Sequence, residues 1–235
     1  MTSDHTVLVR VLRVFTDEQC RHGNALGVID GALVGEADRQ RIAQELGFSE
    51  TIFVDRYDTG ELRIFTPGGE IPLAGHPLVG AAWLLLRGQE SPTVLDLRPP
   101  GGVVHSWADE GGRTWIDAPL GTLPDWTLVQ LGSPAEVEGL TGPLRANHDL
   151  VVYWAWTDTR VMRVRCFAPR FAVTEDEATG SAALRLTAML EEPIEIRQGR
   201  GSLLSARPVD ADRAAVGGLV VEDAPLHRSS QSRPD

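Results

Sequence analysis

The chain has 235 residues, 42% of them hydrophobic, which is enough to bury a core as one large unit or as two compact lobes. Its formal net charge of −11 repels nucleic-acid phosphates and anionic lipids, so we expect no nucleic-acid or membrane partner. All 22 basic residues are arginines, which excludes reactions that need a lysine amine, such as pyridoxal Schiff-base chemistry, lysine-type aldol cleavage and P-loop nucleotide hydrolysis.

The sequence also shows neither a targeting signal nor a cysteine spacing typical of disulfide frameworks or zinc sites. No apolar run is long enough to span a bilayer, and residues 1–14 carry charges unlike those of a signal peptide, so we expect a cytoplasmic protein. The two cysteines, Cys20 and Cys166, are too few for a disulfide framework and lack zinc-site spacing, which predicts buried, inert thiols.

The first part of the chain alternates between strand and helix patterns. Gly47 follows an amphipathic segment and predicts its end, and Pro77 suits the first turn of a second helix, where its missing N–H needs no partner. In chain order the predicted elements are strands at 7–15 and 26–29, a helix at 36–46, strands at 52–54 and 61–66, and a helix from Gly75 to Gly88.

The remainder divides into a Gly- and Pro-rich middle and a second folded part. The predicted elements are strands at 94–97, 102–107, 114–116, 151–156 and 160–167, a helix at 181–190, and strands at 194–197, 203–208 and 215–221. We expect an N-terminal lobe at 1–110, a C-terminal lobe at 111–222, and a disordered polar tail at 223–235.

A repeat links the two predicted long helices. Residues 63–67 (RIFTP) precede a loop and a helix beginning Gly75-His76-Pro77, and residues 165–169 (RCFAP) precede a loop and a helix beginning Gly180-Ser181-Ala182. Duplicated lobes related by an approximate two-fold axis would bring both helix N-termini to one cleft, where their N–H groups can bind an anion such as a carboxylate. Alternatively, the two glycines only permit tight turns.

Two residues are candidates for proton transfer. Glu50 lies at a junction between a helix and an apolar strand, where desolvation would raise its pKa towards that of a useful general base, unless it is simply an exposed strand end. His76 lies at a helix start, where the helix dipole would keep its ring neutral, unless it serves only in capping or packing.

Residues 175–181 (EDEATGS) place three carboxylates before a hydroxyl-rich helix start. Helix capping accounts for Thr179 or Ser181 but does not require Asp176, so we consider Asp176 a further proton-transfer candidate. The six histidines show no metal-ligand spacing, and no nucleophile elbow or dinucleotide loop is found, so metal, serine-hydrolase and nicotinamide chemistry have no support in the sequence.

Taken together, these segments resemble the PhzF family of phenazine-biosynthesis-like proteins, which have the diaminopimelate epimerase fold. The most specific matching segments are residues 70–77 (EIPLAGHP) and 175–183 (EDEATGSAA), in that order. The resemblance implies an α+β protein of two pseudo-symmetric lobes, each a mixed sheet around a central helix, that works as a homodimer without a cofactor. It also implies three catalytic residues (Glu50, His76 and Asp176) and five substrate-binding residues (Asn24, Gly75, Thr179, Gly180 and Ser181).

The expected activity is isomerisation, in which Glu50 moves a proton and a double bond on a small cyclic or unsaturated amino-acid-like carboxylate. A dihydro-hydroxyanthranilate-like acid and a pyrroline-type acid both fit, and the alternatives are an epimerase of a small acid and an inactive ligand-binding homologue. Two departures from the family are Glu177, in the place of a proline, and a shortened stretch at 133–149. Related racemases use a cysteine at each helix start, but His76 and Ser181 hold those places, so two-thiol racemisation is not expected.

Overall fold

The computed structural model describes residues 6–87 and 94–229. The helices are α1 (Glu36–Leu46), α2 (Gly75–Arg87), α3 (Pro134–Glu138) and α4 (Gly180–Leu190). The strands are β1 (Thr6–Thr16), β2 (Asn24–Asp30), β3 (Glu50–Arg56), β4 (Glu61–Thr66), β5 (Gly69–Ile71), β6 (Val94–Leu97), β7 (Val104–Ala108), β8 (Thr114–Pro119), β9 (Thr127–Gln130), β10 (Val151–Asp158), β11 (Val161–Ala168), β12 (Val173–Asp176), β13 (Ile194–Gln198), β14 (Ser202–Pro208), β15 (Arg213–Glu222) and β16 (Leu226–Ser229). This is the α+β class that the sequence predicted.

The same chain path occurs twice. In the first half, β2 and β3 are parallel and are linked by α1, then β4 and β5 follow as antiparallel neighbours and lead into α2. In the second half, β9 and β10 are parallel and are linked by a segment that contains α3, then β11 and β12 follow antiparallel and lead into α4. The repeat seen in the sequence therefore extends further back along the chain than its motifs indicated.

Two helices lie in the core and one covers the outside. Nearly every residue of α2 is buried, as is the first half of α4, which is the pattern of helices enclosed by sheet on several sides. By contrast, α1 buries Ile42 and Ala43 against a smaller apolar cluster and exposes a charged face. It ends at Gly47 in the left-handed conformation, with a φ of 66°, as the sequence predicted.

One strand joins the halves. The first part of β15 pairs with β14 and β8, and its last part pairs with β1, so a single hydrogen-bonded path runs from β5 to β9. The predicted lobe boundary between residues 110 and 111 falls in the turn between β7 and β8, which are antiparallel partners. The division of the chain into lobes at that point stays a prediction.

The structure differs from the predicted elements mainly in short segments. Strands β5, β9 and β12 and helix α3 were not predicted, because each has only three to five residues and shows no full period of either pattern. The prediction of disorder is wrong for Leu226–Ser229, which forms β16 on the otherwise unpaired first residues of β1. Gly88 and residues 230–235 lie outside the described residues. Within residues 6–87 and 94–229, no helix is long and apolar enough to cross a membrane.

Candidate active site

The starts of α2 and α4 touch backbone to backbone. A Cβ atom added to Gly75 would lie 2.7 Å from the Cα of Gly180, and one added to Gly180 would lie 2.8 Å from the Cα of Gly75, closer than real Cβ contacts occur. Neither glycine has a positive φ, so close approach, rather than a tight turn, is what requires glycine at both positions. The two helix N-termini therefore lie side by side, as the repeat predicted.

Glu50 begins β3 and lies beside His76, with 3.3 Å between its Oε2 and the Nδ1 of the imidazole. Its side chain is 15% exposed, and burial raises the pKa of Glu50 to about 7, against the opposing effect of a hydrogen bond from Ser49. This carboxyl therefore exchanges its proton near neutral pH, which is the property a general base and acid requires. The exposed strand end considered as an alternative is not what the structure shows.

His76 is buried, and its ring is neutral at pH 7. Desolvation lowers the pKa of His76 to about 4, although the nearby charge of Asp176 acts in the opposite direction. The neutral ring was predicted from the helix dipole, and the structure adds burial as a physical cause. Glu50 Oε2 and His76 Nε2 are buried without a hydrogen-bond partner among the described residues, so the two side chains are close neighbours that share no hydrogen bond.

Asp176 ends β12 and is held by a hydrogen-bond network. Its Oδ1 accepts from the Nδ2 of Asn24 at 2.6 Å, and its Oδ2 accepts from the Oγ1 of Thr179 at 2.7 Å. Burial and, to a lesser extent, the charge of Glu50 raise the pKa of Asp176 to about 6. Gln198 extends this network, because its Nε2 donates both to the Asp176 carbonyl and to Thr179 Oγ1 at 2.8 Å.

A small, largely apolar pocket of about 120 Å³ opens beside these groups. Four of the eight predicted site residues line it: Glu50, Asp176, Thr179 and Ser181. The other four, Asn24, Gly75, His76 and Gly180, do not line it and contribute through the contacts described above. The remaining lining residues are Ser49, Ile71, Pro72, Leu73, Ala74, Thr122, Pro124, Trp126, Ala168, Phe171 and Val173.

Sequence reasoning missed two polar residues of the site. The Nε1 of Trp126 donates to the Oγ of Ser181 at 3.0 Å, and Gln198 holds Thr179 and Asp176 from β13. Trp126 lies in the Gly- and Pro-rich middle, where no periodicity marks a side chain as buried. Gln198 lies at the end of a strand before a glycine, and nothing in that pattern indicates a buried amide.

Glu177, the departure from the family pattern, has a clear structural partner. Its carboxylate accepts the backbone N–H of Arg200 at 3.0 Å and the hydroxyl of Ser202 at 2.9 Å, and Ser202 in turn accepts the N–H of Gly23 at 3.0 Å. The segment that carries Asp176 is thereby tied to the turn between β13 and β14.

Neither cysteine lines the pocket. Cys166 is buried on β11 opposite Asp176, and burial raises the pKa of its thiol far above the ordinary range. Cys20 is exposed in a turn, so the prediction that both thiols are buried is wrong for it, because a tight turn with a φ of 58° places it at the surface. Within 6–87 and 94–229, no three histidine, cysteine or acidic side chains are arranged to hold a metal ion.

Comparison with known proteins identifies the family of the chain. Residues 12–120 match the family model described as phenazine biosynthesis-like protein. The trans-2,3-dihydro-3-hydroxyanthranilate isomerase of Pseudomonas fluorescens is 33% identical over 79% of this chain and 84% of the relative. The chain belongs to the phenazine biosynthesis-like family.

Solved structures extend the likeness to the fold. A phenazine biosynthesis-like protein of Enterococcus faecalis superimposes with a TM-score of 0.80 at 22% identity, covering 95% of this chain and 99% of the other. A predicted epimerase of Pseudomonas aeruginosa does so with a TM-score of 0.72 at 25% identity, covering 94% and 99%. The fold is that of the phenazine biosynthesis-like proteins and the related epimerases, and the chain is an enzyme of the isomerase class.

Proposed function

We propose that this protein moves a proton, and with it a double bond, on a small amino-acid-like carboxylate, with Glu50 as the group that removes and returns the proton. The observation that carries the proposal is the Glu50 carboxyl itself. It lines an apolar pocket, burial raises its pKa to about 7, and His76 Nδ1 lies 3.3 Å away. A base with this pKa is well matched to proton transfer at neutral pH.

The reaction balances without a redox partner. Glu50 takes a proton from a carbon next to a double bond, and the electron pair of the broken C–H bond forms a new C=C bond. The original double bond shifts its electrons to the far carbon, which takes the proton back from Glu50. Buried His76 lies 3.3 Å from this carboxyl, and the like charges of Glu50 and Asp176 oppose their ionising together, which favours one of the two acids holding the proton.

The substrate we propose is trans-2,3-dihydro-3-hydroxyanthranilate or a close analogue. The Pseudomonas fluorescens relative is named as an isomerase of this acid. Such a substrate joins a small carbon ring, which carries an amino and a hydroxyl group, to a carboxylate, and this suits a pocket with apolar walls and the Ser181 hydroxyl at the α4 N-terminus. That the active enzyme is a cytoplasmic homodimer belongs to the proposal, and sedimentation of the purified chain tests its dimeric state.

Epimerisation of a small acid is the second candidate, because two carboxyls with raised pKa values, Glu50 and Asp176, line the same pocket. The two reactions differ in where the returning proton arrives. In deuterated buffer, epimerisation inverts the carbon that gains deuterium and leaves the double bonds in place, whereas isomerisation moves them. Proton NMR of the incubated acid separates the two outcomes.

Glu50→Gln tests the role of the carboxyl. The amide keeps the shape and removes the basicity, so we expect turnover of trans-2,3-dihydro-3-hydroxyanthranilate to fall by roughly 10²–10⁴-fold. The matched control is Glu18→Gln, at an exposed residue far from the pocket lining, which should leave turnover unchanged. Near wild-type turnover by Glu50→Gln would refute the mechanism, and a wild-type protein that binds the acid without exchanging hydrogen would be a ligand-binding homologue instead.

A further inference from the structure

Trp126 forms part of the pocket wall and bonds to a predicted site residue. It follows the short helical turn Leu120–Thr122 and precedes β9, and its side chain is 9% exposed. Its Nε1 donates to Ser181 Oγ at 3.0 Å, and both residues line the pocket. The two residues are 55 positions apart in the chain, so this bond joins the pocket wall to the start of α4.

The chemistry of this pair determines which group donates. An indole N–H can only donate, so Ser181 Oγ accepts with one of its two lone pairs. Among the described residues Ser181 Oγ has no second hydrogen-bond partner, and its own hydrogen is left to point elsewhere. Because Ser181 lines the pocket, this hydrogen is available to a bound molecule.

A second interaction holds the wall segment on the same helix. Arg185 lies one turn after Ser181 and therefore on the same face of α4. Its guanidinium donates to the Leu123 carbonyl at 2.8 Å and to the Pro124 carbonyl at 3.2 Å, three and two residues before Trp126. The backbone before Trp126 and the indole N–H are thus both bonded to α4.

The pocket lining contains few groups that can bind an anion. No arginine is among the lining residues and the chain has no lysine, so an anionic group finds no side-chain cation there. The ionisable lining residues are the acids Glu50 and Asp176. A hydroxyl that keeps its hydrogen free at the α4 N-terminus therefore gives the pocket a donating group in addition to its two acids.

We propose that Trp126 is a specificity-determining positioning residue that acts through Ser181. By donating to one lone pair of the hydroxyl, the indole leaves the hydrogen of Ser181 free to be donated, so the pocket favours molecules that present a hydrogen-bond acceptor such as a carboxylate at the α4 end. The inference rests on the proposed function, since it concerns how that same pocket orients its acid.

The test is a double-mutant cycle with Trp126→Phe and Ser181→Ala. Trp126→Phe keeps an aromatic wall and removes only the N–H. We expect it to weaken calorimetric binding of anthranilate, a stable planar analogue, and to raise KM by about tenfold while kcat changes by less than about threefold. In the Ser181→Ala background the same substitution should have no further effect on binding. Trp83→Phe is the matched control, because Trp83 lies on α2 and has no place in the pocket lining.

Each outcome separates this inference from the proposed function. If the wild type neither binds anthranilate nor converts the dihydro acid, the proposed function fails, and the inference falls with it. If the wild type does both and Trp126→Phe behaves like Trp83→Phe, only the role of Trp126 is overturned. If Trp126→Phe loses affinity equally with and without the Ser181 hydroxyl, Trp126 is a wall alone and the action through Ser181 is refuted.

Discussion

The starts of α2 and α4 share a backbone design and differ in their side chains. Each follows a short strand that pairs antiparallel with the strand before it, and each begins with a glycine in contact with the other. The residue after Gly75 is His76, which is buried beside Glu50, whereas the residue after Gly180 is Ser181, which lines the pocket and accepts from Trp126. The duplicated backbone thus carries two different kinds of chemistry.

This difference shows how the repeat has been divided into roles. Glu50 begins β3, but the corresponding strand β10 begins with Val151, so the second half has no matching acid at that position. In the proposed mechanism the first half supplies the proton-transfer group, Glu50, and the second half supplies Asp176 and the hydrogen-bonding hydroxyl of Ser181. What the halves share is the close contact of their glycines, which brings these groups to one pocket.

The largest effect should come from breaking that contact. Gly180→Ala places a methyl group 2.8 Å from the Gly75 Cα, and backbone cannot yield as a flexible side chain can. We expect the free energy of unfolding to fall by about 2 kcal/mol. Turnover should fall on the order of 100-fold, because the two helix starts must move apart. Urea denaturation and the isomerase assay measure the two quantities.

Gly142→Ala is the control for this substitution, because a Cβ there meets no atom within 4 Å. It should leave both stability and turnover close to wild type. Gly75→Ala makes the reciprocal contact and should match Gly180→Ala in both measurements. Wild-type turnover in either variant would show that the contact of the two helix starts does not position the site.

Much of this arrangement could be predicted where a pattern runs long enough. The bounds of α1 and β4 match the prediction, since a charged amphipathic run ending at Gly47 and an alternating six-residue run each fill a whole element. The pairing of Trp126 with Ser181 could not be predicted, because 55 residues separate them and nothing periodic marks Trp126. Short strands such as β12 could not be predicted either, because β12 is stabilised by its pairing with β11 more than by the strand preference of its own residues.

The two candidate acids were predicted mainly from a resemblance to known motifs, whereas their burial and its effect on their pKa values could be seen only in the structure. The sequence placed Glu50 at a junction between a helix and a strand and Asp176 before a helix start, but only the folded arrangement shows that both line one pocket and that their charges interact. Likewise, His76 was expected to be neutral because of the helix dipole, and the structure adds desolvation, which lowers its pKa. Desolvation depends on what surrounds a side chain, which a local pattern does not contain.

A smaller effect concerns the pH dependence of stability, which the acid of the first half, Glu50, should influence. Burial raises the pKa of Glu50 from 4.5 to about 7, so between these values the folded chain holds a proton that the unfolded chain releases, and stability falls as pH rises. Between pH 6 and pH 8 this one group should lower the free energy of unfolding by about 1 kcal/mol. The loss should be absent in Glu50→Gln.

Urea denaturation at the two pH values gives the comparison directly. Ser181→Ala removes no ionisable group, so its stability should change between pH 6 and pH 8 as that of the wild type does. His76 acts in the opposite direction over part of this range, because its pKa is lowered from 6.5 to about 4 and the unfolded chain binds the extra proton. The argument therefore depends on the difference between wild type and Glu50→Gln, and equal pH dependence in the two would contradict the raised pKa.

The smallest effect concerns the thiols, which have no part in the contrast between the helix starts. Cys20 is exposed, whereas Cys166 is buried on β11 and burial raises the pKa of its thiol, so it has little thiolate to react. Iodoacetamide should therefore label one thiol in the folded chain and two after unfolding in urea, as counted by mass spectrometry. The singly labelled enzyme should keep its full turnover, because neither sulfur lines the pocket beside Glu50 and Ser181. Loss of activity that tracks with labelling of Cys20 would mean that a thiol takes part in the chemistry, and the division into an acid-bearing half and a hydroxyl-bearing half would have to be redrawn.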